Sequence, residues 1–321
     1  MNGLSKGSVT WTEIDAAADG QRIDNFLLKT LKGVPKSHIY RILRSGEVRV
    51  NSRRVDATYR LEAGDRLRIP PVRTGRRVSA SAASGPKLAS RPLLEDDYLL
   101  AVNKPAGTAV HGGSGISHGV IERLRSERPE LKFLELVHRL DRGTSGVLLL
   151  AKKRSALTEL HAQLREGRVD KRYLVLVLGR WRNQKQSVEL ALHKFVTRRG
   201  ERRVVVDVEG AAAKTLFTLV RRWPEFSLLE AQLKTGRTHQ IRVHLTHLGF
   251  PIAADDKYGD FAANKALAGR GLKRMFLHAH SITFRHPESG KRVQIEAPLP
   301  DDLCRFIDSL DAVKEQAPHS G

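Results

Sequence analysis

The chain has 321 residues, 40% of them hydrophobic and 28% charged, with 56 Lys and Arg against 35 Asp and Glu and a net charge of +21. That length suits two domains, or one large domain with an appendage, and the apolar share is enough to bury a core. The excess of positive charge points to a polyanionic partner, nucleic acid first; the single Cys304 excludes an internal disulfide, and no apolar run reaches the roughly eighteen residues of a membrane span.

The opening stretch, MNGLSKGSVTWTEID, lacks the apolar core of a secretory signal, so a cytoplasmic protein is expected. RIDNFLLKTL then places Ile23, Phe26, Leu27 and Leu31 on one helical face. Pro35 and Ser37 suit the start of a second helix, SHIYRILRSG. It turns Ile39, Ile42 and Leu43 inward and Lys36, His38, Arg41 and Arg44 outward, with Gly46 as its stop. EVRVN alternates as a strand does, and GDRLRIP does so again after a glycine turn. Residues 71–90, PVRTGRRVSASAASGPKLAS, hold no acid and no aromatic and read as a flexible, charged linker. Residues 1–90 carry 17 Lys and Arg against 8 Asp and Glu, and the remaining 231 carry 39 against 27, so the small piece is the more densely basic. Its two short helices followed by basic strands resemble the small α/β RNA-binding domain first described in small-subunit ribosomal protein S-four, expected here over residues 20–70. The plainer reading of the basic helix face is a solvated surface.

The large piece, expected over residues 91–312, opens with YLLAVNKPAG, a strand ending in a Pro-Gly turn. GVLLLAKK is a short buried strand, and SALTELHAQLREG is a helix with Leu157, Leu160 and Leu164 on one face and Gly167 at its end. KRYLVLVLGRW is a strand; KTLFTLVRRW and FSLLEAQLKT are a strand pair joined by a proline-containing turn. THQIRVHLTHLG is helical, with Ile241, Leu245 and Leu248 inward. Strands outnumber helices and often follow one another directly, which predicts an α+β fold with a mixed, largely antiparallel sheet. No GxGxxG follows a strand and no GxxxxGK[ST] occurs, so nucleotide-cofactor folds are not indicated.

Three stretches stand out chemically. LVHRLDRGTSGVLLLAKK sets His138, Arg139, Asp141 and Arg142 at the mouth of the aliphatic strand, either as a charged turn or as a reacting group held beside an anion. In KRYLVLVLG, Tyr173 follows two cations at a strand start and is either core or site. LKTGRTHQIRVHL crowds Arg237, His239, Gln240, Arg242 and His244 at a helix start, which is either a salt-bridged cap or a phosphate site with the helix dipole behind it. His138 and Asp141 lack further ligands at convincing spacing, so no metal is expected.

HRLDRGTSG, KRYLVLVLG and TGRTHQIRVHL, in this order, with VNKPAGTAVHGG upstream and GFPIAADDKYGD downstream, resemble the pseudouridine synthases of the A-type ribosomal family, over roughly residues 20–310. The resemblance implies isomerisation of uridine to pseudouridine in large-subunit ribosomal RNA or its assembly precursor, at several positions around the peptidyl-transferase region. It implies no cofactor, for the reaction exchanges no electrons with a donor and gains or loses no atoms; nothing in the sequence demands more than a monomer. It casts Asp141, a carboxylate of the kind glycosidases use, as the nucleophile. Arg242 is implied as its ion-pair partner at the pocket floor and Tyr173 as the aromatic that stacks on the extruded base. Arg139 would fill the vacated space. His138, Arg237, His239 and Gln240 would meet phosphate and ribose, and Lys36, Arg41 and Arg44 would meet RNA from the small domain.

Overall fold

The computed structural model describes residues 9–31, 34, 36–72, 91–112, 119–197 and 201–315. The chain forms two compact units, Met1–Ala82 and Ala83–Gly321, and the division falls inside the expected linker, of which residues 73–90 lie outside the described ones.

In the first unit β1 (Thr10–Glu13) precedes helices α1 (Ile23–Thr30) and α2 (Lys36–Arg44), which lead to β2 (Arg49–Val50) and β3 (Arg66–Ile69). The strands form an antiparallel sheet in the order β1-β3-β2, with Thr10 opposite Ile69 and Glu13 opposite Arg66. The strand β1 lies ahead of residue 20, where the small domain was expected to start. Ile23, Leu27, Leu31, Ile39, Ile42 and Leu43 pack with Val48, Leu61 and Leu67 into one core. Each such aliphatic side chain contributes about 1.5–3 kcal/mol by leaving water. Gly46 has a φ of +71°, the left-handed stop its position predicted.

The second unit opens with β4 (Leu94–Glu95), β5 (Leu99–Lys104), α3 (Val120–Glu127), β6 (Glu135–Leu136), β7 (Ser145–Ala151), α4 (Arg154–Arg165) and β8 (Asp170–Leu178). It continues with β9 (Lys185–Glu189), β10 (Leu192–Val196), β11 (Arg202–Val206), β12 (Lys214–Arg222), β13 (Phe226–Leu233) and α5 (Gln240–His247). It closes with α6 (Phe261–Gly269), β14 (Leu277–Arg285), β15 (Arg292–Glu296) and α7 (Asp301–Glu315). Ten strands join one sheet along the path β4-β5-β7-β14-β8-β13-β12-β9, with β15 on β14 and β6 on β7; β10 and β11 form a separate hairpin. Only the β7–β14 pair is parallel, so the sheet is mixed and largely antiparallel, as the run of adjacent strands predicted.

Every residue of β7 is buried, because both faces of the sheet are covered there. Leu148 and Leu150 point to the side of α3 and α5, where Val175, Val177, Ile241 and Leu245 meet them. Val147 and Leu149 point to the side of α4, against Ala156 and Leu160. Gly146 is required at the head of this strand. Its φ is +114°, and a Cβ there would stand 2.2 Å from the Ala279 carbonyl oxygen of the parallel neighbour β14. No helix among the described residues is long and apolar enough to cross a membrane.

Candidate active site

A cavity of about 340 Å³ opens where the loop before β7, the start of β8 and the turn into α5 converge. Its size falls in the range of small-molecule sites. Asp141, Tyr173 and Arg242 all line it, as do His138, Arg139, Lys171, Arg237 and His239. Residues spread over more than a hundred positions of sequence thus meet at one place.

The loop that carries Asp141 is clamped rather than loose. The Lys104 Nζ, fully buried at the end of β5, donates to the carbonyls of Pro105 (2.9 Å), Thr108 (2.8 Å) and Arg142 (3.3 Å). Three acceptors match the three N–H bonds of an ammonium. Burial pulls its pKa down to about 7, against the charge of Asp141, which raises it. Arg142 and Gly107 exchange two further bonds, Gly107 N–H to the Arg142 carbonyl at 2.8 Å and Arg142 Nε to the Gly107 carbonyl at 2.9 Å. On the strand side, His138 Nε2 accepts the Leu149 N–H at 3.1 Å. Burial and the nearby charge of Lys171 lower the His138 pKa to about 4, so the ring is neutral, as an acceptor must be. His138 reaches the cavity wall, but that ring nitrogen is committed to holding the loop on β7.

Arg242 lies in the first turn of α5 with 7% of its side chain exposed. It makes the expected contact with Asp141, Nη1 to Oδ2 at 3.4 Å, yet this is its weaker partner. Asp255 grips the same guanidinium in bidentate fashion, at 2.7 Å to Nε and 2.6 Å to Nη2, with only 1% of its own side chain exposed. Asp255 Oδ1 also accepts the N–H groups of Lys257 and Tyr258. Burial works to raise the Asp255 carboxyl, but the hydrogen bonds and charge of Arg242 and the two backbone donors outweigh it and hold the pKa below the usual range. Asp255 fixes the arginine, and the arginine's free edge faces Asp141.

His239 begins α5 in the left-handed region at φ +54°. Its Nε2 stands 3.8 Å from Asp141 Oδ2 and its Nδ1 is 2.8 Å from the Tyr258 hydroxyl. The Tyr258 hydroxyl that meets Nδ1 also accepts the Val204 N–H. Burial lowers the His239 pKa more than Asp141 raises it. Tyr173 is 7% exposed; burial, then the charge of Asp141, push its phenol well above the usual range, so it stays protonated.

Gln240 lines the cavity and is held from inside the protein. The side chain is buried, with Oε1 accepting from Thr235 Oγ1 (2.7 Å) and Arg237 N–H (3.0 Å) and Nε2 donating to Lys214 O (3.0 Å) and Thr215 Oγ1 (2.9 Å). Every polar valence of the side chain is used inside the protein, so this amide shapes the Thr235–Arg237 turn at the cavity wall. Arg237 is exposed at the rim, its Nε on the Ala212 carbonyl. Arg139 is exposed too and is shared with a second, larger cavity of about 630 Å³, lined also by Arg142, Lys257, Lys273 and Arg274. In the first unit Arg41 pairs with Glu47 at 3.2 Å and Arg44 is exposed on the same helix; the Lys36 side chain lies outside the described ones. Arg44, Arg53 and Arg54 line a groove there.

The sequence reading missed Lys104, Lys171, Asp255 and Tyr258. Each sat inside a stretch already singled out, VNKPAG, KRYLVLVLG or GFPIAADDKYGD, but nothing local tells a buried clamp from a surface charge.

Comparison with known proteins agrees with this geometry. Residues 98–247 match the RNA pseudouridylate synthase family and residues 21–67 the S4 domain. Ribosomal large subunit pseudouridine synthase C of Escherichia coli (strain K12) is 54% identical over 309 residues, 94% of this chain and 97% of that protein. The protein of the same name from Pasteurella multocida (strain Pm70) is 52% identical over 295 residues, 91% of this chain and 90% of its own. Among solved structures, human RNA pseudouridylate synthase domain containing 4 superposes with a TM-score of 0.57 at 23% identity, over 70% of this chain and 94% of that one, a likeness of fold. A carboxylate, an arginine and an aromatic meeting in one cavity, together with relatives matched over nearly their whole length, place this chain in the RNA pseudouridylate synthase family, isomerases that act on RNA.

Proposed function

We propose that this chain converts uridines of large-subunit ribosomal RNA to pseudouridine, at several positions around the peptidyl-transferase region, with Asp141 as nucleophile on a flipped-out uridine. The observation that carries the reading is the Asp141 carboxylate, clamped at a base-sized cavity 3.4 Å from Arg242 and beside the Tyr173 ring. The named substrate of relatives at 54% identity supplies the RNA class. In the reaction the bond from uracil N1 to ribose C1′ breaks and a bond from C5 to C1′ forms. A proton leaves C5 and one is gained at N1, so atoms and electrons balance without a donor.

Extruding the uridine costs a few kcal/mol. Stacking on Tyr173 returns about 1–3 kcal/mol, and Arg139, exposed and shared by both cavities, fills the gap in the strand in this reading. Arg242, anchored by Asp255, aims the Asp141 oxygens and balances their charge. Arg142, Lys257, Lys273 and Arg274 give the phosphate backbone a basic bed next to the base pocket, and Arg44, Arg53 and Arg54 offer a second in the first unit. One chain supplies the whole catalytic set, which suits a monomer. Mapping pseudouridines in ribosomal RNA from cells lacking this protein tests the reading: sites lost from the large-subunit RNA and restored by the intact gene support it, and an unchanged map overturns it.

A further inference from the structure

Among the described residues, nothing answers the charge of Lys171 in the base cavity. Arg242 has Asp255 and Asp141, Arg237 has the Ala212 carbonyl, and His239 has Tyr258. Arg139 stands in solvent. No hydrogen bond or ion pair among the described residues engages the Lys171 Nζ, although it lines the cavity and burial lowers its pKa with no anion to hold it up. An ammonium drawn out of water with no partner costs the fold free energy, and such groups persist where a ligand supplies the missing charge.

The strand geometry says where that charge would come. Lys171 is two residues before Tyr173 on β8, so the two side chains leave the same face of the sheet about 6.7 Å apart. A six-membered ring stacked on Tyr173 would therefore present its edge to the lysine. The ammonium lies against the turn into α5, where a Cβ on Gly236 would come within 3.3 Å of Nζ. The missing side chain leaves it room.

We infer that Lys171 presents its ammonium to the edge of the flipped uracil and stabilises the negative charge that builds on O2 and O4 as the C1′–N1 bond breaks. The inference rests on the proposed function. As the bond breaks, its electron pair goes to N1 and spreads over the two carbonyl oxygens. Once C5 is joined to C1′ and has lost its proton, N1 takes one up. Lys171 moves no proton in this scheme and acts by its charge alone. The competing role for a lysine here is a contact to phosphate.

The test compares wild type, Lys171→Met and Lys171→Arg on large-subunit RNA by single-turnover pseudouridine formation, RNA Kd across salt, and thermal unfolding. Loss of one preorganised donor lowers the rate by about 10²- to 10³-fold. The inference predicts that loss in Lys171→Met, an unchanged Kd and salt slope, a Tm equal to or above wild type, and partial recovery of rate in Lys171→Arg. A Lys171→Met rate equal to wild type overturns the inference. So does a weakened Kd with a shallower salt slope and an unchanged rate, the signature of a phosphate contact. A lower Tm together with lost activity overturns it as well, since that marks a structural lysine. Wild type in the same assay keeps the two claims apart: if it makes no pseudouridine, the proposed function fails, whereas an active wild type matched by Lys171→Met sinks this inference alone.

Discussion

Replacing Asp255 by asparagine tests how the site's arginine is held. The pair is bidentate at 2.6 and 2.7 Å and nearly sealed from water. Two unit charges about 4 Å apart at an effective dielectric near 20 interact by about 4 kcal/mol. Asparagine keeps one acceptor, and Asp141 at 3.4 Å and Asp256 at 3.5 Å still offset part of the stranded charge. A net loss near 3 kcal/mol follows, at the low end for breaking a buried pair. For a unit of this size that lowers the Tm by about 6–12 °C. The freed guanidinium no longer has a fixed orientation toward Asp141, and misplacement of about 1 Å in such a partner costs roughly 10²-fold in rate. The pH dependence has a definite sign. The folded-state pKa of Asp255 is depressed, so its stabilisation is complete above the unfolded value, 3.8, and is lost as the pH falls through the folded one. The wild-type advantage over Asp255→Asn is therefore full above about pH 5 and shrinks below it. Urea unfolding of both proteins from pH 3 to 8 and single-turnover kinetics at pH 7 check this. A variant with wild-type stability and rate at pH 7 would refute the reasoning.

The remaining expectations concern the scaffold around the pair. Lys104→Met leaves three carbonyls without their shared donor and loosens the Asp141 loop; it lowers the Tm and the turnover rate while RNA affinity, measured by filter binding, stays near wild type. Gly146→Ala forces a Cβ into the Ala279 carbonyl at a φ of +114°, and the expected outcome is a fall of several kcal/mol in stability or insoluble protein. His138 and His278, each lowered to about 4 by burial as the leading cause, stay neutral between pH 5 and 8, so an NMR titration finds their ring signals flat there while exposed histidines move. Gln240→Ala lowers stability by about 1–3 kcal/mol through the bonds it strands and leaves the salt dependence of RNA binding unchanged.

Much of the fold was legible because local pattern and tertiary role coincide. The aliphatic run of β7, the leucine spacing of α4 and the inward Ile241 and Leu245 of α5 each signal burial by periodicity alone. The strand β1 was not legible. Its residues, TWTE, alternate without an aliphatic partner, and its pairing with β3 spans more than fifty residues. The parallel contact of β7 with β14 joins positions 133 residues apart, and only the geometry explains why glycine stands at 146. In the site, Asp141, Tyr173 and Arg242 stood out as charges or an aromatic beside strands. Asp255 and Lys104 did not, because a carboxylate or ammonium in sequence carries no mark of burial. The hydrogen bonds that tie the Gln240 amide to Thr215, Thr235 and backbone were not legible for the same reason.

The most direct measurement is pseudouridine formation in large-subunit ribosomal RNA by purified protein and its Asp141→Asn variant, with RNA binding followed in parallel. The account predicts that the wild type forms pseudouridine and that Asp141→Asn binds the RNA with similar affinity but forms none. Pseudouridine formed by Asp141→Asn at the wild-type rate, or none formed by the wild type, would contradict it.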